Sequence, residues 1–321
     1  MPDAEAILVG VRVRPVVPRE IGQDISLFFN GNILTCLDVE GKKKEFQFDV
    51  LLDARDKNDP NFGGNEKVYA GFGRRMLDHM LDGFGTCVFA YGQTGTGKST
   101  TIVGLMSPPA EQGLLPRLLN DIFDACDKMR SEGAEVMCKL QMIELYNEQI
   151  RDLLAPAVKD KAKAPRPEIH VHPKMGVYIT DMQDPVVTTS QECFDLIEYG
   201  NNMKTIAATA MNPQSSRGHT IIKFHMERKN ADASCTVSDC WIVDLAGREN
   251  EKTTQVSGEQ FVELSFINRS LMWLAVCIKG LSEQPKGKKK KAAEGAEGEE
   301  GGEGKKSGGG GGGMKNLAQF R

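Results

Sequence analysis

An α/β chain wound around a central, mostly parallel or mixed β-sheet, with helices on both faces, is the fold class the sequence predicts. Three observations carry it. Short β-rich runs alternate with helical stretches, the order that builds a covered sheet. One of those runs, "TCVFAYG", is short, β-branched and aromatic, and apolar on both faces, as suits a parallel strand buried between helices. It leads directly into a glycine-rich turn, "GQTGTGKS", that ends in a lysine and a hydroxyl. The 321 residues, with 40% hydrophobic content, can bury one large core or two modest ones.

Taken in order, "AILVGVRVR" opens as a strand and Ile33 to Asp53 reads as further strands. Phe46, Phe48 and Val50 alternate onto one face there, ahead of the polar loop "DARDKNDPNFGGN". A helix is expected from about Glu66, because Val68, Phe72, Met76 and Met80 recur four apart and "DGFG" supplies a glycine stop. Past the glycine-rich turn, Leu114 to Met129 reads as a helix and "VMCKLQMIELYN" as a central strand. "IHVHPKMGVYITDM" reads as a hairpin on which His170 and His172 share a face, a spacing open to a metal clip or to two ordinary polar residues on a wet surface. "TTSQECFDLIEYGNN" places Thr189 and Glu192 at capping-box spacing before an amphipathic helix. "HTIIKFHMER" and "CTVSDCWIVDLAG" are two more strands, and a long helix follows from about Gly258 to Leu281.

From Pro285 the composition turns to lysine, glutamate and glycine without periodicity, which predicts disorder. The chain thus divides into a folded part over 1–284, a low-complexity insertion over 285–315, and a short return toward the fold at 316–321. The net charge of -4 conceals an asymmetry: nine Lys or Arg face five Glu from Pro285 onward, leaving an acidic body and a basic tail. The eight cysteines form no CxxC pair, and no apolar run approaches the roughly 20 residues of a membrane span. "MPDAEAILVG" lacks the basic flank and long apolar centre of a secretory signal. A reduced cytoplasmic protein is expected, with neither membrane nor nucleic acid as partner.

Gly92, Gln93, Thr94, Gly95, Thr96, Gly97, Lys98 and Ser99 fit G-x-x-x-x-G-K-[ST] between a strand and a helix. Glycines let successive backbone N–H groups converge on anionic oxygens, Lys98 brings charge to the β and γ phosphates, and Ser99 offers a hydroxyl to Mg²⁺. The dipole of the following helix is expected to add to this. A triphosphate site also needs an aspartate at the end of a neighbouring strand. "CWIVDLAG" offers Asp244, which would hold Mg²⁺ through a water, and Gly247, whose N–H would sense the γ phosphate. Taken alone, "DLAG" is equally a strand ending in an exposed aspartate and a turn.

A third segment, "NPQSSRGH", decides the matter. With "FAYGQTGTGKS" and "DLAGRE" it resembles the first switch, phosphate loop and second switch of the kinesin motor domain, in the family's order and at similar spacing. "VRVRP", "IELYNEQIRDLL" and "FINRSLMWLAVCIKGL" resemble its base motif, central strand and the helix after the second switch, so the likeness runs from about Ala6 to Leu281. No guanine-specific N-K-x-D motif is present. The resemblance implies a P-loop NTPase fold of kinesin type and a microtubule-stimulated motor ATPase that uses ATP and Mg²⁺. Its partner would be tubulin in microtubules, and its place the cytoskeleton. By the same resemblance Arg12, Arg14 and Pro15 border the adenine with Thr100, and Ser216 joins Ser99 and Asp244 near Mg²⁺. Arg217 and Glu249 pair to close the switches, and Asn268 supports the second switch.

The likeness has gaps. Gly218 and Arg248 stand where the family usually has serine, which implies a looser first switch and a second cation competing for Glu249. Thr100 replaces an aromatic or imidazole ring that stacks on adenine. Glu259 and Glu263 make the last helix poorer in lysine than usual, with only Arg269 and Lys279 as cations. The family's domain continues past a segment similar to "LAQFR" with a further helix, strand and helix, so an incomplete motor domain is expected, whether fragment or truncated gene model. That leaves as alternative a motor-derived module that binds nucleotide or microtubules without productive motility. Lys286 and Lys288 to Lys291 lie where the lysine-loop transport kinesins of the third class enrich lysine. A solvated linker is the other reading, since the glutamates at 294–303 offset the charge within a Debye length of about 8 Å.

Overall fold

The computed structural model describes residues 7–156, 166–172, 176–211, 218–230, 232–247 and 259–282. Two compact units divide the chain: Leu8–Ile267, and Asn268–Arg321 together with Met1–Ile7. The sheet, core and cleft below all belong to the first. The low-complexity tail lies outside the described residues.

The N-terminal strand is shorter than the sequence suggests. β1 (Gly10–Val13) pairs in parallel with β5 (Val50–Asp53), forming a small sheet of its own. β2 (Leu27–Asn30), β3 (Ile33–Leu37) and β4 (Lys43–Gln47) make an antiparallel meander between them. The helix expected from Glu66 exists as one run in three parts: α1 (Asn65–Val68), a π-helical turn (Tyr69–Gly73) and α2 (Arg74–Leu81). The turn coincides with Gly71 and Gly73, and the Tyr69 ring lies where a side chain on residue 73 would stand. That ring is held by its hydroxyl, which donates to Asp121 at 2.5 Å. Gly83, at φ +88°, ends α2 as the "DGFG" signal predicts.

β6 (Thr86–Ala90) then runs into α3 (Lys98–Ile102), and α4 (Leu114–Ser131) leads to β7 (Glu135–Tyr146) and β8 (Gln149–Asp152). β9 (Ile169–His172) and β10 (Gly176–Ile179) form the expected hairpin, with His170 stacked on Tyr178 at 5.5 Å. No group of three metal-ligating side chains gathers anywhere among the described residues. β11 (Val186–Val187), α5 (Ser190–Met211), β12 (His219–Lys229), β13 (Cys235–Asp244) and α6 (Glu259–Ser282) complete the order. Glu192 accepts from the Thr188 amide at 2.6 Å, while its own amide donates to Thr189 at 3.2 Å. The box therefore closes one residue further out than the sequence spacing implies.

The six-stranded sheet has the order β11-β7-β12-β13-β6, with β8 beside β7. It is mixed: β6 and β13 are parallel, whereas β12 is antiparallel to both β7 and β13. The short turn joining β12 to β13 permits only the antiparallel arrangement. β7 lies inside the sheet, as its apolar length suggests. β6 departs from its reading as a strand buried on both faces. Val88 and Ala90 pack on the core, but Cys87 is exposed and Phe89 keeps 36% of its surface in solvent.

One core joins α2, α4 and α5 to the sheet. Leu115, Leu118, Leu119 and Ile122 of α4 are wholly buried at helical spacing against Leu140, Phe224 and Met226. Phe123 meets Phe224 edge-on at 5.8 Å. Each such side chain contributes about 1.5–3 kcal/mol by burial. On the other face of β12 and β13, Lys223, His225 and Asp239 form a charged chain, with Lys223 Nζ 5.1 Å over the Trp241 ring.

Candidate functional site

Local backbone chemistry builds one wall of the site. Between β6 and α3 the chain turns through Gly95 at φ +78° and Gly97 at φ +90°, angles that a residue with a Cβ adopts only under strain. Thr96 Oγ1 donates to the Gln93 carbonyl at 2.7 Å and fixes the turn. Lys98 Nζ folds back to the carbonyls of Gly92 and Gln93, each at 3.0 Å, so the ammonium is held over the loop. α3 has five residues, too few for a strong dipole, and the anion-binding capacity therefore rests on the loop amides and Lys98.

The other wall comes from the sheet. β13 ends at Asp244 beside β6, and Ser99 Oγ donates to Asp244 Oδ2 at 2.5 Å. Asp244 Oδ1 is buried without a hydrogen-bond partner among the described residues. A buried carboxylate oxygen left open beside a hydroxyl fits a hydrated divalent cation. His219, the first residue of β12, accepts the Ala246 N–H at its Nδ1 (3.0 Å), tying the start of β12 to the segment that follows β13. Burial, then the charges of Lys204 and Lys98, push this imidazole down to about 4, so its Nδ1 accepts as a neutral ring.

Together the walls enclose a cleft of about 300 Å³. Thr94, Gly95 and Gly97 to Thr100 line one side; Lys204, Gly218 and Asp244 to Gly247 line the other. Gln93 takes part through its carbonyl, and Gly92 through the Lys98 contact. Thr100 is exposed and accepts at its carbonyl from Asn65 Nδ2 at 3.2 Å.

The guanidinium groups of Arg12 and Arg14 bond within the protein. Arg12 donates to the Gly63 carbonyl, to Asn65 Oδ1 and to Thr101 Oγ1 at 2.7 to 2.9 Å, strapping β1 to α1 and α3. Arg14 grips Glu20 with two bonds of 2.6 and 2.9 Å and also reaches the Pro15 carbonyl. Asn268 lies on α6, in the second unit. Ser216, Arg217, Arg248 and Glu249 lie outside the described residues, as does the lysine cluster of the tail.

Gly218 also permits a close approach. It is buried, and a Cβ there would stand 2.6 Å from Glu144 Oε1, whose carboxylate is 3.4 Å from Arg151. The glycine admits the buried Glu144 against the backbone just before β12. Two residues of the site, His219 behind the lining through its bond to the Ala246 amide and Lys204 in the lining itself, escaped the sequence reading. A signal for the second existed: Cys193, Ile197 and Gly200 mark the buried stripe of α5, and Lys204 continues it by one turn. Its Nζ donates to Thr220 Oγ1 at 2.7 Å. Burial pulls its ammonium below the usual lysine range, against the opposing carboxylates of Glu144 and Asp244.

A family model for the kinesin motor domain matches residues 12–293. Among curated proteins, the chain is 34% identical over 294 residues to kinesin-like protein unc-104 of Caenorhabditis elegans, covering 89% of this chain and 18% of that protein. It is 34% identical over 301 residues to kinesin-like protein KIF1A of Rattus norvegicus, again over 89% of this chain but 17% of that one. The chain thus spans less than a fifth of the length of these relatives. A solved KIF14 structure with ADP, in complex with a microtubule, superposes with a TM-score of 0.76 at 32% identity, covering 87% of this chain and 79% of that one. A structure described as a fast kinesin gives 0.75 at 31% identity, over 88% and 77% of the two chains.

Proposed function

The chain belongs to the kinesin motor domain family, and from that premise we propose that it is a microtubule-binding motor ATPase whose hydrolysis cycle changes its hold on the filament. The observation that carries the reading is the cleft itself: loop amides and Lys98 on one wall, and on the other the open Asp244 oxygen beside Ser99. In this reading the loop from Gly92 to Ser99 holds the phosphates, while Arg12, Arg14, Pro15 and Thr100 border the adenine. Mg²⁺, when bound, neutralises charge on the β and γ phosphates; Ser99, Ser216 and a water on Asp244 would hold it. The Gly247 amide reads the γ phosphate, Arg217 pairs with Glu249 to exclude bulk water, and Asn268 steadies the second switch.

Little covalent work then falls to the protein. Rate comes from aligning a water in line with the γ phosphate and from dipoles aimed at the charge that develops. His219, neutral and bonded to the Ala246 amide, carries a shift of the second switch directly to β12. Loss of the γ phosphate frees the Gly247 amide, and a segment held by that contact changes place, which is how a local event becomes a change in affinity. Support for the filament as partner comes from the KIF14 neighbours, solved in complex with a microtubule. A cytoplasmic, cytoskeletal location belongs to the same proposal, as does the division into a motor domain over 1–284 and a basic loop over 285–315.

Phosphate release measured with and without polymerised tubulin tests the reading, alongside competition of ATP and GTP against a fluorescent ADP analogue. Filaments should accelerate release, and ATP should displace the analogue better than GTP. Nucleotide binding without filament-stimulated release would replace the motor with a module that binds but does not turn over.

A further inference from the structure

Lys204 is a cation on the sheet wall of the cleft to which the reading above gives no task. It rises from the last two turns of α5, on the stripe that otherwise faces the core, and its ammonium donates to the hydroxyl of Thr220 at 2.7 Å. Thr220 is itself buried, and in the β12–β13 register it stands directly opposite Asp244. The tether therefore holds the ammonium on the strand pair that ends in the cation-binding aspartate.

A purely structural account would make Lys204 the counter-ion of the buried Glu144. The geometry argues against this, because Glu144 already has Arg151 at 3.4 Å. Among the described residues no carboxylate lies within ion-pair distance of Lys204, and its bond goes to a neutral hydroxyl. A buried ammonium needs opposite charge, and an anion entering the cleft would add a direct partner to the more distant fields of Glu144 and Asp244.

The two walls also differ in what they ask of a ligand. Lys98 and the loop amides accept any phosphate chain, so a diphosphate satisfies them. The sheet wall presents Asp244, whose carboxylate repels a further anionic group unless a cation balances it. We infer that Lys204 is a specificity-determining cation of this cleft, favouring nucleoside triphosphate over diphosphate by offsetting charge at the sheet wall where the terminal phosphate arrives. The inference rests on the nucleotide-binding reading above. Thr220 acts as a positioning residue, removing rotamer freedom from the lysine before the ligand binds.

The test measures displacement of a fluorescent ADP analogue from the full chain, with Mg²⁺ present, by ADP and by a non-hydrolysable ATP analogue. Lys204→Met keeps the stem and removes the charge. It should weaken the triphosphate about tenfold or more, as expected for loss of a charge-assisted contact, and change ADP less than about twofold. Lys204→Arg should restore most of the difference. Thr220→Val, which keeps the shape of the strand, should give a smaller loss with the same preference, and it serves if Lys204→Met does not fold. Equal losses for both nucleotides, or no loss in either variant, would overturn the role of Lys204 alone. A wild-type chain that binds neither nucleotide would overturn the nucleotide reading and this inference with it.

Discussion

The two walls of the cleft are made in different ways. The loop wall is one contiguous stretch, Gly92 to Ser99, shaped by its own glycines and closed by bonds between neighbours at most six residues apart. The sheet wall takes Lys204 from a helix, Gly218 from just before one strand, and Asp244 to Gly247 from the end of another, with His219 behind it on the Ala246 amide. The first is a property of a short sequence, the second of a folded sheet. Damage to the loop wall should therefore remove binding outright. Damage to the sheet wall should separate binding from turnover, or lower stability along with it.

The largest effect should follow from Lys98→Ala, which removes the ammonium held over the loop. Affinity for Mg·ADP is expected to fall about a hundredfold or more in a fluorescence titration, with the unfolding midpoint little changed. Retained affinity would mean that the loop amides suffice alone. Asp244→Asn comes next. Phosphate release should drop about a hundredfold while ADP binding changes far less, because the wall acts on the reaction more than on the diphosphate. A parallel collapse of ADP binding would show that the walls do not divide the work.

The pH dependence of stability sharpens the contrast through two histidines on the same strand. His219, behind the wall, is pushed down to about 4 by burial, so unfolding takes up a proton as the solution is acidified. Its stabilisation is present above the ordinary histidine value near 6.5 and is lost as pH falls from there toward 4, a change of about 3 kcal/mol. His225, outside the wall, contacts Asp239 at 2.7 Å and Glu227 at 2.9 Å and has its pKa raised, first by the Asp239 bond. It stabilises while protonated, and that contribution is lost as pH rises through its raised value. Chemical denaturation between pH 4 and 8 should lose its acid-side slope in His219→Gln and its base-side slope in His225→Gln. Identical profiles would place both rings in equivalent surroundings.

Gly218→Ala should have the smallest effect. The added Cβ must move the Glu144 carboxylate from a position 2.6 Å away, at a cost of about 1–2 kcal/mol and a few degrees in melting temperature. A stabilised variant would favour the reading of Gly218 as a source of looseness. The measured sign thus decides between backbone freedom and close approach.

Short-range chemistry was legible wherever it was complete within one segment. The glycine-rich turn, the amphipathic run of α4 and the hairpin of β9 and β10 each carry their cause within about twenty residues, so periodicity and turn residues suffice. Asp244 could be named because its strand and turn form a local pattern with a required partner. Lys204 lies past Asn202, the end of the segment that carries the capping signal, and only its place one turn beyond Gly200 on the buried stripe sets it apart from a solvent-facing charge. The exposure of Phe89 was equally hidden, since an apolar strand does not encode which of its faces finds a cover.

By itself the sequence determined the α/β class, the glycine-rich turn and the family, because each rests on residue types at fixed short spacing. Tertiary structure decided the rest. It sent Arg12 to Gly63, Asn65 and Thr101, as a strap between strand and helices. It set His219 against the Ala246 amide and Gly218 against Glu144, and it left one oxygen of Asp244 open. These contacts join residues 27 to 89 positions apart. A hydrogen bond or a close approach over such a distance depends on strand register and helix placement, which the packing of the whole core sets and no local pattern contains.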